Sequence, residues 1–190
     1  MKNFLITLII ILIPVKSFGL IEVDITRGNL NPLPIAVSPL SIDEQSRKNF
    51  ENILKKKNIG SEISSIVENN LKVSGLFNPL NKDAFLQEPD IANLKPRFED
   101  WNLIKAQALI TGKVSYVEEK LRVEFRLWDV LAGKEMMALA FTTVPNNWRR
   151  VGHIITDKVY ERLTGEKGYF DTRIISVSYT HLTLPTTDRV

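Results

Sequence analysis

Three consecutive stretches decide the fold: Ala108–Val117 (ALITGKVSYV), Lys120–Trp128 (KLRVEFRLW) and Glu135–Val144 (EMMALAFTTV). In Leu121-Arg122-Val123-Glu124-Phe125-Arg126-Leu127 apolar and charged residues alternate strictly. A period of two sends successive side chains to opposite faces, so one face is buried and the other is wet. The links Glu118-Glu119 and Leu131-Ala132-Gly133 are short enough for hairpins, and the three strands therefore form an antiparallel meander. Directly after it, Asn147–Leu163 places Trp148, Val151, Ile154, Ile155, Val159 and Leu163 at helical spacing, with Gly165 just past the end as a stop. Such a helix has one apolar stripe to bury, and the meander's apolar face is the adjacent surface that can take it.

Upstream, Ser61–Ser74 carries Ile63, Ile66, Val67 and Leu71 on one helical face, with Ser61 as the expected N-cap and Gly75 as the stop. Ser46–Asn58 has Phe50, Ile53 and Leu54 at helical spacing and reads either as a further turn or two of helix or as a charged insertion. Ile35–Leu40 (IAVSPL) is a short strand stopped by Pro39, which cannot donate to a ladder and favours a strand end or a sheet edge. Leu76–Leu80 leads into a polar loop that runs to about Lys95. The elements add up to one two-layer α/β (α+β) domain: a mixed sheet with an antiparallel meander and two main helices. No internal repeat is present.

The amino terminus has a different grammar. Lys2 supplies a short positive segment, Phe4–Ile13 (FLITLIIILI) a ten-residue apolar run, and Pro14–Gly19 a polar exit ending in small residues. That order is the pattern of a secretory signal peptide, and the run is half of the ~20 residues a spanning helix needs. Ser17 and Gly19 fit the −3 and −1 positions, which puts cleavage between Gly19 and Leu20 and leaves 171 residues with no membrane span. The chain has no Cys, so it carries neither a lipid-attachment site nor a disulfide framework, and a bacterial periplasm is the expected compartment. The mature chain would begin with Leu20–Ile25 (LIEVDI), where Ile21, Val23 and Ile25 alternate with Glu22 and Asp24 in a strand pattern. A turn-rich linker, Thr26–Pro34, separates it from the body.

Composition narrows the function. Hydrophobic residues make up 44% and charged residues 25%, values of an ordinary folded domain. Without Lys2 and Lys16 the chain holds 23 basic and 22 acidic residues, interspersed rather than striped, which argues against nucleic-acid binding. Lys55-Lys56-Lys57 reads as a solvated helix end. His153 and His181 sit in no metal-spacing or nucleophile motif, and no GxSxG, HExxH, P-loop or GxGxxG occurs. Glu118, Glu119, Glu124 and Asp129 could in principle form an acid/base pair, but wet-face alternation accounts for most of them. Trp101, Trp128 and Trp148 read as packing residues. No enzyme, metal or cofactor is implied.

Several runs resemble the amino-terminal domain of the TolB family, periplasmic components of the Tol-Pal system. They are Pro34–Leu40, Ile66–Leu80 with its Ser-Gly-Leu-Phe-Asn-Pro-Leu, Ala108–Val114 and Gly152–Ile174 with its Leu-Thr-Gly helix exit. The resemblance extends from the signal peptide to about Ile175. It implies a non-enzymatic envelope scaffold, needed for outer-membrane integrity and for constriction during division. It also implies that the segment after signal cleavage engages the carboxy-terminal domain of TolA, here Leu20, Ile21, Glu22, Val23, Asp24, Ile25 and Thr26. From pattern alone the hexamer Leu20–Ile25 reads as an ordinary first strand; the resemblance turns the reading to strand addition onto a partner. Family members continue into a β-propeller that binds the lipoprotein Pal, whereas Ser176–Val190 no longer resembles the family and is expected to be a foreign tail. Pal is thus a partner only where the propeller follows. The expected organisation is signal peptide 1–19, binding strand and linker 20–33, α/β domain 34–175 and tail 176–190. The competing reading is a stand-alone periplasmic ligand sensor or enzyme activator with a pocket bordered by Trp101 and Trp148.

Overall fold

The computed structural model describes residues 31–172. Within them the chain runs β1 (Leu33–Val37), β2 (Ser41–Ile42), α1 (Glu44–Leu54), α2 (Ile59–Val73), β3 (Phe77–Pro79), α3 (Pro89–Leu94) and α4 (Phe98–Leu103), and then β4 (Ala108–Val117), β5 (Lys120–Asp129), β6 (Lys134–Thr143) and α5 (Trp148–Thr164). The sheet order is β3-β1-β4-β5-β6, with β2 pairing β4 in line beyond β1. β1 is parallel to β3 and β4, and β4, β5 and β6 form the expected antiparallel meander. β4 and β5 pair along their whole length, from Ala108 opposite Asp129 to Val117 opposite Lys120. The turn between them places Glu118 and Glu119 at φ 49° and 60°, the left-handed backbone that a two-residue hairpin of this hand demands.

On the face of β5 that alternates inward, Leu121, Val123, Phe125 and Leu127 are buried beneath α2 and α5. The two helices contribute Ile63, Val67 and Leu71 from one and Val151, Ile155, Val159 and Leu163 from the other. They lie close because Gly152 has no side chain: a Cβ there would come within 2.9 Å of Ile66 Cγ2. α1 is capped by Asp43, whose Oδ1 accepts the Ser46 amide (2.8 Å), and buries Phe50 edge-on to Tyr116. The Ser46–Asn58 segment is therefore helix over its first part, starting two residues earlier than its apolar spacing shows.

Several boundaries differ from the sequence reading. β1 runs Leu33–Val37 rather than Ile35–Leu40 and is interior to the sheet, so of the two positions expected for Pro39, strand end or sheet edge, it takes the strand end. α2 begins at Ile59 rather than at Ser61, and Asn58 caps it without a side-chain hydrogen bond. Gly60 is buried there so close to the Leu40 carbonyl that no Cβ would fit. The run after Gly75 contains the short edge strand β3, in which Phe77 is buried. The polar stretch to Lys95 holds a 3₁₀ turn (Lys82–Ala84) and α3, followed by α4.

Those short helices cover the opposite face of the sheet. Trp101 is buried there with Ala36, Ala92, Ala106, Leu109 and Val130 in a second, smaller cluster. Gln87, itself buried, stitches it together: its Oε1 accepts Trp101 Nε1 (3.0 Å) and the Arg97 amide (3.1 Å), and its Nε2 donates to the Lys95 carbonyl (3.3 Å). A buried polar group is tolerable only when its bonds are made, and here three of them are. The strand expected at Leu20–Ile25 lies outside the described residues.

Candidate functional site

The structure separates the carboxylates that could have formed a catalytic pair. Glu118 and Glu119 sit at the β4–β5 turn, while Asp129 ends β5 ten residues later, roughly 30 Å away at the rise of an extended strand. Asp129 is buried because its Oδ1 accepts the Ala132 amide (2.8 Å) and closes the β5–β6 hairpin. Glu124 pairs in solvent with Arg122 (2.7 Å) on the wet face. His153 is a tie between helices: Asn70 Nδ2 donates to its Nδ1 (2.9 Å) and to Thr156 Oγ1 (3.2 Å), which puts the neutral ring's proton on Nε2. Among the described residues no group of three or more His, Asp or Glu could hold a metal ion. His181 lies outside them.

Trp101 and Trp148 border no common pocket, so the pocket of the competing sensor reading is not formed. Trp101 belongs to the small cluster on one face of the sheet and Trp148 to the large core on the other. An open groove of about 430 Å³ does run between α2 and α5, past Ser61, Ser65, Ile66, Trp148, Arg149 and His153. The Trp148 ring is flanked by Lys56 Nζ at 5.1 Å and the Arg149 guanidinium at 5.0 Å, and Lys56 is neutralised by Glu62 (2.6 Å). Cations held on a ring in this way have their own attraction satisfied.

In open α/β sheets ligands bind at the carboxyl ends of the parallel strands where strand order reverses. Here β1 and β4 frame that position, and the chain itself fills it. β2 continues the pairing along β4, the Ser38 amide bonds to the Ile110 carbonyl (3.0 Å), and Ser64 Oγ accepts the Leu40 amide (2.9 Å). At the other side of the sheet β6 is an edge of ten residues with little charge after Lys134 and Glu135, and Ala138, Leu139 and Ala140 are exposed on it. By pattern β6 reads as a hairpin strand; its run of uncharged residues from Met136 to Val144 is the sequence signal of this edge.

A profile of the TolB amino-terminal domain matches residues 21–136. The chain belongs to the TolB amino-terminal domain family. It is 82% identical over 171 residues to the Tol-Pal system protein TolB of Pelagibacter ubique (strain HTCC1062), a match that covers 90% of this chain and 38% of the relative. The chain thus spans about two fifths of that relative's length. Among solved structures, the crystal structure of TolB from Acinetobacter baumannii superposes with a TM-score of 0.56 at 21% identity, covering 78% of this chain and 32% of that one. The latter likeness speaks for the fold alone.

The mixed α/β fold agrees with membership in the TolB amino-terminal domain family. The profile begins at Ile21, so the strand-patterned segment Ile21–Thr26 falls within the matched part of the chain. Leu20–Thr26 and the cleavage pair Gly19 and Leu20 lie outside the described residues. No helix among the described residues is long and apolar enough to cross a membrane.

Proposed function

We propose that this TolB-family chain is a periplasmic, non-enzymatic scaffold of the Tol-Pal system, delivered by the signal peptide 1–19 and cleaved between Gly19 and Leu20. Its mature amino-terminal segment, Leu20–Thr26, adds as a strand to the carboxy-terminal domain of TolA, and the linker to residue 33 joins it to the α/β domain of 34–175. Residues 176–190 are outside the family's pattern. The scaffold supports outer-membrane integrity and envelope constriction in division; Pal is its partner only where a β-propeller follows the domain. The observation that carries this reading is the 82% identity to a Tol-Pal system TolB over 90% of the chain.

Strand addition suits the segment physically. Main-chain hydrogen bonds supply affinity irrespective of sequence, while Ile21, Val23 and Ile25 on one side and Glu22 and Asp24 on the other supply specificity. The α/β domain serves as a folded carrier that does not need the segment for its core. The test is deletion of Leu20–Thr26 from the mature chain. Binding to the isolated TolA domain is expected to disappear in calorimetry while the thermal midpoint stays within about a degree. Equal affinity of the intact and deleted chains would overturn the proposal.

A further inference from the structure

After α5 the chain does not leave the domain at the helix's end. Gly165, at φ 75°, turns it back, and the following residues run along the helix toward its amino terminus. Asp157, on α5, accepts two backbone amides from them: Phe170 N to Oδ1 (2.7 Å) and Asp171 N to Oδ2 (3.1 Å). Arg150, two turns earlier, holds the Asp171 carboxylate in a fork, with Nε at 3.0 and 3.1 Å and Nη2 at 2.9 Å. Gly168 passes so close to Asp157 that a Cβ would overlap the helix backbone. Tyr169 and Phe170 stack at 4.5 Å and both meet the Tyr160 ring edge-on, at 5.6 and 5.9 Å.

These contacts pin Gly168–Asp171, the last four of seven residues that make no strand or helix. We infer that Gly165–Asp171 is a clamp that sets where the following polypeptide departs: beside Arg150, about 21 Å along α5 from Thr164 at 1.5 Å per residue. Closed, it fixes Asp171 and Thr172 beside α5. Open, it releases seven residues and lengthens the connection by up to about 23 Å at the extended rise. Its fastenings are a bidentate ion pair, two charge-assisted bonds and one aromatic cluster, of which only the aromatic cluster touches the main core, through Tyr160 and Phe170. Opening uncovers Tyr160 at the rim of that core, while Val151, Ile155, Val159 and Leu163 still hold α5 on the sheet. A ligand or partner that competes for Asp171 or for Tyr169 would change the geometry of whatever the chain carries next, without touching the sheet.

The experiment exploits the absence of Cys. Spin labels are attached in the full chain through Val73→Cys, at the exposed end of α2, and Thr172→Cys, and their separation is measured by pulsed dipolar spectroscopy. The parent is expected to give one narrow distribution. Gly168→Ala and Asp157→Ala should each broaden it at least twofold and shift part of it, while amide exchange in β5 stays protected. Arg150→Ala, the mildest change, should broaden it less. A broad distribution in the parent, or a distribution in all three variants as narrow as the parent's, would overturn the clamp.

Discussion

On one face of the sheet α2 and α5 bury a continuous apolar layer over Leu121, Val123, Phe125 and Leu127. On the other, α3 and α4 cover a patch centred on Trp101, and a single buried glutamine makes the connecting bonds. The first layer is held by area, the second by a few directed bonds around one large ring. Area-held packing follows from periodicity, which survives in any sequence that makes it. Bond-held packing depends on one residue reaching three partners that are eight to fourteen positions away.

That contrast can be broken from either side. Phe125→Ala should have the largest effect, about 4 kcal/mol, because it opens a cavity in a layer closed on all sides by α2, α5 and the sheet. Denaturant unfolding should show it as one cooperative transition shifted for every probe. Gln87→Ala should cost about 2 kcal/mol, since it leaves the Trp101 indole N–H and the Arg97 amide without acceptors. Its signature is local: amide exchange should accelerate in α3 and α4 while β5 remains protected. Global loss of protection at equal cost would place both faces in one cooperative layer and remove the contrast.

Smaller changes sharpen it. Asp43→Ala removes the cap of α1 and should cost about 1 kcal/mol at neutral pH. The Ser46 amide is the main cause holding the Asp43 carboxyl below its usual 3.8, against an opposing push from burial. With the folded value lowered, its stabilisation is fully present above the usual value and is lost as pH falls through the lower folded one. The gap between parent and variant should therefore be constant near neutrality and close only in strong acid. Replacing Glu118-Glu119 by Asn-Gly should raise stability by about 1 kcal/mol, because both residues now occupy left-handed backbone that those two types adopt at less cost.

The meander was legible because Leu121–Leu127 alternates without exception, and α5 because its stripe from Trp148 to Leu163 is unbroken. The parallel half was less so. β3 has three residues and includes Pro79, too short for any period to show, and Pro39 leaves β1 open to a strand end or an edge until its neighbours are known. α3 and α4, six residues each, present one buried side chain apiece, Ala92 and Trp101, which is no pattern at all. For the site, the sealing of the switch position by Leu40 and Ser64 is a long-range event that local pattern does not report, whereas the family resemblance was readable from contiguous runs such as Ser74–Leu80.

In the proposed function, recognition resides in Leu20–Thr26 and the folded body carries it. It is tested most directly by titrating the isotope-labelled mature chain with the TolA carboxy-terminal domain and following every backbone amide. Changes confined to residues 20–33, with the amides of Phe125, Trp148 and Ile155 unmoved, are the predicted result. Shifts along Trp148, Arg149 and His153 or along β6, with Leu20–Thr26 unchanged, would contradict it.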